Sequence, residues 1–393
     1  MSPLKRYYNL LRLDRKDILQ IISYAIFAGI ISLSLPLRIQ AIINFIQAGR
    51  ASVSWIVLVI LVVIGVAFVG VLSLMQLRIT ENLQQKIFIR SAFEFTYRIP
   101  KLKFSSTYNK HSSEIANRFF DTLSIQKGTS KLLTDFSAAL LQILFGIILL
   151  SLYHPFFIIF GILLSILLYL IYRFSYESGL KTSLKESKFK YKVAGWLQEL
   201  SRNNFSFKNP YHLEFALEKN NRLVNDYINY REQHFRVIKR QFSQLIGFKI
   251  IITASLLLIG GFLVLNQQMN IGQFVAAEII ILLVINSVEK IILGLETFYD
   301  VLTSVEKIGE VTDLEIESES EVNQTNCFIN LSLELENVNF KFEDDTTNAL
   351  ENINLKINQS EKIVIEGDNG SGKTTLIRIL SGLIQPTQGH FII

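Results

Sequence analysis

From Trp55 to Leu77 the chain runs without one charged side chain. A run of about 20 mainly apolar residues matches a helix that crosses the hydrocarbon layer of a bilayer. Five more apolar stretches follow the same rule: Ile18 to Phe45, Leu132 to Tyr153, Phe156 to Tyr172, Leu245 to Leu265 and Ile271 to Val288. Half of the residues are hydrophobic and only 19% are charged, too few charges for a soluble protein of 393 residues. The expectation is a multi-pass α-helical membrane protein. The first stretch follows a basic segment, but it is too long for a signal peptide and lacks an Ala-x-Ala site.

The cations sort by topology. Lys5, Arg6, Arg12, Arg15 and Lys16 precede the first stretch, and Arg78 to Lys131 fills the segment between the second and third with lysines and arginines. The short connections at Tyr153-His154-Pro155 and Asn266 to Gly272 carry none, and Arg50 stands in the first. Positive charge stays on the cytoplasmic side, so both ends and the two long connections are expected there, with the cell inner (plasma) membrane as the location. The net charge of +5 is not gathered into a basic patch with interleaved aromatics, which argues against a nucleic-acid partner. Cys327 is the one cysteine; it excludes an internal disulfide and reads as an ordinary thiol.

Ile79 to Arg98 and Phe174 to Leu200 mix polar and apolar residues at helical spacing with little Gly or Pro, so the membrane helices are expected to continue beyond the bilayer. The hairpin tips are expected at Phe104 to Ser113 and Asn203 to Tyr211, where Ser, Asn and Pro cluster. Glu289 to Lys307 continues the last helix. The acidic run Asp313 to Glu321 reads as a solvated linker, and alternation from Ile329 through Leu331-Ser332-Leu333-Glu334-Leu335 announces strands. The expected domains are a membrane region at 1–310, a linker at 311–328 and an α/β region at 329–393.

That last region holds Gly367-Asp368-Asn369-Gly370-Ser371-Gly372-Lys373-Thr374. Glycines at this spacing let backbone N–H groups cradle a phosphate; Lys373 would reach the β- and γ-phosphates and the Thr374 hydroxyl would hold Mg²⁺. Lys362 to Glu366 reads as a short buried strand and Thr375 to Leu380 as a helix, the strand–loop–helix order this loop needs.

Six spans, two long hairpins, an acidic linker and this loop together resemble an ABC exporter half-transporter over the whole chain. Leu335 to Phe342 resembles the family's opening strand, with Phe342 where an aromatic ring stacks on adenine. Gly367, Asn369, Gly370, Ser371, Gly372, Lys373, Thr374 and Thr375 fit the family's phosphate loop, and Leu380 to Gly389 its helix end and next turn. Ala116 to Asp121 and Ile271 to Glu278 are similar to the peptide and type I secretion group. The resemblance implies the six-span exporter fold followed by part of a P-loop nucleotide-binding domain, with ATP and Mg²⁺ as ligands. It also implies a second half-transporter as partner, the two hairpin tips as coupling helices, and a peptide, lipid or other amphipathic substrate.

The family's Gln loop, LSGGQ-type signature, Mg²⁺-holding acids and switch histidine are not among these residues. Lys373 and Thr374 without them can at best bind phosphate, so no catalytic residue is assigned. The nucleotide region of these residues alone is expected to be C-terminally truncated, poorly folded and to bind ATP weakly or not at all, leaving Ile363, Val364 and Ile365 uncovered. A non-catalytic membrane subunit is the alternative. Glu278, inside the sixth span, reads either as a group on the translocation path or as a helix-packed carboxyl. Arg38 reads as path-lining or as snorkelling to the interface, and Lys249 as snorkelling. Phe342 could also be an ordinary strand core residue.

Overall fold

The computed structural model describes residues 2–47, 53–107, 112–317, 332–342 and 347–392. The chain divides into two compact units, one made of Met1–Thr96 and Ser113–Asp313 and the other of Tyr97–Ser112 and Leu314–Ile393.

The first unit is helical. Helix α1 spans Pro3–Leu13, α2 Arg15–Gln47 and α3 Val53–Arg98; α4, which belongs to the second unit, is Phe104–Thr107; α5 is Ser112–Asn117 and α6 Asp121–Tyr153; then come α7 Phe156–Arg202, α8 Pro210–Ser255, α9 Gly261–Leu265 and α10 Ile271–Thr312. Six helices among the described residues are long and apolar enough to cross a membrane, as the hydropathy pattern requires. Helix α3 runs unbroken past Leu77 to Arg98, and α7 past Tyr172 to Arg202, so the spans do continue as helices beyond their apolar parts. His154 and Pro155 alone separate α6 from α7. The second tip folds as a turn of 3₁₀ helix at Ser206–Lys208, and Asn209 then caps α8 by accepting from the Tyr211 N–H at 3.1 Å, with Pro210 at the first helical position. Helix α10 begins with a capping box: Asn270 accepts from the Gln273 N–H at 2.7 Å and the Gln273 side chain accepts from the Asn270 N–H at 3.0 Å. A five-residue π turn, Leu256–Gly260, joins α8 to α9 in the fifth span.

Two apolar clusters hold this unit. Leu150, Phe157, Leu164, Leu245, Ile280, Val284, Val288 and Tyr299 belong to one; Tyr7, Ile21, Leu83, Ile87, Ile125, Val301 and Leu302 to the other. Tyr299 is 1% exposed and lies so close to α7 that a Cβ on Gly179 would stand 2.3 Å from its ring. Its hydroxyl accepts from the Gln241 amide at 3.1 Å and donates to the Ser175 carbonyl at 3.2 Å, so the polar end of this buried ring is satisfied.

Two of the three charged residues inside or near the spans have partners among the described residues. Arg38 donates to the carbonyl of Leu61 in α3 at 2.7 Å. Lys249, still partly exposed, pairs with Glu289 across α8 and α10 at 2.5 Å. Glu278 is half-buried and has no hydrogen bond or ion pair among the described residues.

The second unit contains β1 (Leu333–Phe340), β2 (Leu350–Ile357), α11 (Lys373–Leu380) and β3 (Gln388–Ile392), in a sheet of order β2-β1-β3 with both pairings antiparallel. Two asparagines, Asn337 and Asn352, take φ of +48° at register shifts; the Asn337 N–H donates to Asn354 Oδ1 and the Asn352 N–H to Asn339 Oδ1, each at 2.8 Å. Short polar side chains that tolerate this backbone repair the ladder at its breaks.

One expectation is corrected here. Lys362 to Glu366 is not a strand: no described strand lies beside it, and Ile363 and Val364 are exposed, Val364 to 79%. A central strand exists only through neighbours on both edges, which is why its apolar residues stand uncovered. At the start of the acidic run Asp313, Glu315 and Glu317 are exposed, while the backbone there is paired. Asp313 is gripped by Arg6, and Leu102 and Ile316 form an antiparallel bridge, with the Lys103 N–H donating to the Glu315 carbonyl at 3.0 Å and the Glu317 N–H to the Lys101 carbonyl at 2.7 Å. The Lys103 ammonium adds a 2.8 Å ion pair to Glu315. Backbone pairing of this kind is set by tertiary position and leaves no mark on composition. Residues 318–328 of the linker, Cys327 among them, and 108–111 of the first tip lie outside the described residues.

Candidate functional site

The glycine loop is built on backbone angles that only glycine takes comfortably. Gly367, Gly370 and Gly372 have φ of +152°, +87° and +86°. Gly372 caps α11 in the left-handed region, and a Cβ there would lie 2.5 Å from the carbonyl oxygen of Ala349, at the start of β2. Within the loop the Ser371 N–H donates to the Asp368 carbonyl at 3.2 Å.

The first backbone bond of α11 runs from the Leu376 N–H to the Gly372 carbonyl at 2.9 Å. The N–H groups of Lys373, Thr374 and Thr375 precede it and have no backbone carbonyl partner among the described residues. Three bare donors at a positive helix end suit an anion. The Lys373 ammonium folds back over the loop and donates to the carbonyls of Gly367 and Asp368 at 2.6 and 2.7 Å, which holds a cation at the same place. Thr374 and Asn369 are exposed, Ser371 is exposed, and Thr375 is buried with 7% exposure. The two threonines therefore differ: Thr375 packs into the unit and Thr374 offers its hydroxyl outward. The donor set fits a polyphosphate with its cation.

Phe342 lies two residues beyond β1. Phe340 pairs with Leu350, and the carbonyl of the preceding Ala349 approaches Gly372, so the end of β1 from which Phe342 emerges is the end that meets the loop. Its half-buried ring stands edge-on to Phe340, 4.9 Å between centres. Glu278 and Arg38 belong to the first unit and are not part of this constellation.

One pair at this site was not legible in the sequence. Arg378, at the far end of α11, lays its guanidinium over the ring of Phe104 at 4.6 Å. Phe104 packs against the small core of Leu335, Val338, Leu350, Ile379 and Ile384. The tip signal placed Phe104 in a turn, but nothing in the spacing of two residues so far apart announces their contact.

Family comparison agrees with both halves of the chain. Residues 18–288 match the ABC transporter transmembrane region, and residues 350–393 match the ABC transporter domain. The chain belongs to the ABC transporters. A subtilin transport ATP-binding protein, SpaT of Bacillus subtilis, is 23% identical over 99% of this chain and 64% of its own length. The alpha-hemolysin translocation ATP-binding protein HlyB of Escherichia coli O157:H7 is 34% identical over 34% of this chain and 19% of its own. This ABC transporter chain thus spans about two thirds or less of the curated relatives it matches. Among solved structures, a bacterial Atm1-family ABC exporter with ATP bound superimposes with a TM-score of 0.75 over 96% of this chain and 67% of that one, at 15% identity, which supports the shared fold.

Proposed function

We propose that this chain is the ATP-binding half of an ABC exporter that moves a peptide, lipid or other amphipathic substrate out of the cytoplasm. Two such halves, identical or different, would enclose one path, and 329–393 would contribute to the nucleotide-binding domain on the cytoplasmic side of the inner membrane. The observation that carries this reading is the loop itself: left-handed Gly372, three unpartnered N–H groups at the start of α11, and Lys373 folded over the same mouth. In the bound state Lys373 would turn to the β- and γ-phosphates, Thr374 would hold Mg²⁺, and Phe342 would stack on adenine. The Mg²⁺ would neutralise phosphate charge. Glu278, unpaired at membrane depth, and Arg38 are candidates for the path. The peptidic cargo is supported by the roles of SpaT in subtilin transport and of HlyB in alpha-hemolysin translocation.

The test is binding of a fluorescent ATP analogue with Mg²⁺ to the protein in nanodiscs. Weak binding that ATP displaces and that Lys373→Ala abolishes is expected; binding indifferent to Lys373→Ala overturns the assignment.

A further inference from the structure

Three carboxylates and one guanidinium gather where α7, α8 and α10 run on beyond their apolar stretches. Arg231 of α8 lies between Glu186 of α7 at 3.2 Å and Glu296 of α10 at 3.6 Å. Asp300 stands one turn after Glu296 on α10, exposed and with no ion pair or hydrogen bond among the described residues. Like charges four residues apart on a helix repel, and the one guanidinium is already shared by two carboxylates. Lys190 of α7 acts on Asp300 from farther off, with its ammonium over the Tyr191 ring at 5.3 Å, and Tyr227 borders Arg231. Helix α6 packs on a different side of α10, where Gly128 meets Val301 and Gly294 meets Phe136.

His234 of α8 fills the inside of the same junction. It is fully buried, and its ring stands edge-on to Tyr299 with 6.1 Å between centres. The Thr182 hydroxyl donates its one proton to the Ser178 carbonyl at 2.8 Å, so the 2.8 Å contact between Thr182 and His234 Nδ1 is a bond that the imidazole N–H donates. Nε2 then carries the lone pair and has no partner among the described residues. Burial, joined by the charge of Arg231, holds the ring below the ordinary histidine range, although Glu186 and Glu296 act the other way. The neutral ring brings no positive charge to the three carboxylates.

The junction lies outside the bilayer. His234 precedes Leu245 by eleven residues and Asp300 follows Val288 by twelve, roughly 16–18 Å of helix past the apolar stretches. Asp300 reaches water, yet the packed helices strip part of its hydration, and with the charges of Glu296 and Glu186 this pushes its carboxyl up to about 6. A carboxyl raised by the fold binds its proton better in the packed state than in an opened one, so packing gains as pH falls through about 6. A histidine lowered by burial has the opposite sign, its contribution being lost as pH falls through the ordinary value of about 6.5.

We propose that Glu186, Arg231, Glu296 and Asp300 form a proton-operated clasp: one proton taken up at Asp300 in mild acid balances the cluster and holds α7 and α8 more firmly against α10, and its loss toward neutral pH loosens them. Neither nucleotide nor cargo enters the argument, so it stands apart from the export reading.

The experiment compares amide exchange of α7, α8 and α10 in the full chain and in Asp300→Asn, both in nanodiscs, at about pH 7.5 and about pH 5.5. Intrinsic exchange and the titration of His234 are common to both proteins and cancel in the ratio of their rates. That ratio, parent over variant, is expected to fall about fourfold between the two pH values, as a carboxyl titrating near 6 requires. An equal ratio at both pH values overturns the proposal. Infrared difference spectra of the same samples read the proton directly. A protonated-carboxyl band that appears on acidification in the parent and is missing in Asp300→Asn is expected, and an identical band in the two proteins overturns the proposal. Glu296→Gln keeps Asp300 in place and should move the midpoint of that band to lower pH; an unmoved midpoint counts against the clasp as well.

Discussion

Arg378 stacks on Phe104 with 4.6 Å between the guanidinium and the ring centre, and through this contact the end of α11 is joined to the hairpin tip of α4. The phosphate loop lies at the other end of the same eight-residue helix. Phe104 also covers the apolar core of the sheet, so the tip residues 97–112 complete a unit whose other residues begin more than 200 positions later. A short antiparallel bridge, Leu102 to Ile316, fastens the two segments on the way.

Removing that ring should loosen the sheet. Phe104→Ala loses a cation–π contact and part of a hydrophobic cover, together about 1–2 kcal/mol of local stability. Arg378→Gln should lose only the smaller cation–π share. Amide exchange of β1 and α11 in the full chain reads both, and an effect of Arg378→Gln as large as that of Phe104→Ala would contradict the division.

Gly372→Ala should abolish nucleotide binding. The new Cβ would stand 2.5 Å from the Ala349 carbonyl at a φ of +86°, so either β2 or the start of α11 must shift, at a cost of about 1–3 kcal/mol. Loss of ATP-analogue fluorescence with the helical content of the membrane region unchanged is the expected result.

The bridge between hairpin and linker should weaken in acid. The Lys103 ammonium holds the Glu315 carboxyl below the usual glutamate range by hydrogen bonding and by charge. A depressed carboxylate contributes fully above the unfolded value of about 4.3 and loses its contribution as pH falls from there through the lower folded value. Exchange at the Lys103 and Glu317 amides should therefore be insensitive to pH-driven opening near neutrality and show extra opening below about pH 4, an excess that Glu315→Gln removes.

Gly179→Ala should destabilise the helical unit. Its Cβ would meet the buried Tyr299 ring at 2.3 Å, and Tyr299 cannot retreat without giving up its bonds to Gln241 and the Ser175 carbonyl. Overpacking of this kind costs about 1–3 kcal/mol. A lower unfolding temperature in detergent is expected, and Tyr299→Phe combined with Gly179→Ala should not restore it because the ring remains.

Much of this protein could be read along the chain. Long, mainly apolar runs, of which Trp55 to Leu77 has no charge at all, fix six membrane helices, because lipid disfavours bare charge and unsatisfied backbone. The loop Gly367 to Thr374 was equally legible, since its left-handed glycines and its lysine are local requirements of chain geometry. Relations between distant residues were decided only by the fold. Lys249 reads as a snorkelling lysine until α10 brings Glu289 against it. Glu315 reads as part of a solvated acidic run and stays exposed, but its pairing with Lys103 came only with the fold; Lys362 to Glu366 reads as a strand although no described neighbour supplies its ladder. Periodicity and composition record what a residue needs from its own helix or turn. Which partner satisfies a charge, and whether a strand has a neighbour, are properties of the whole packed chain, and there the tertiary structure had the deciding part.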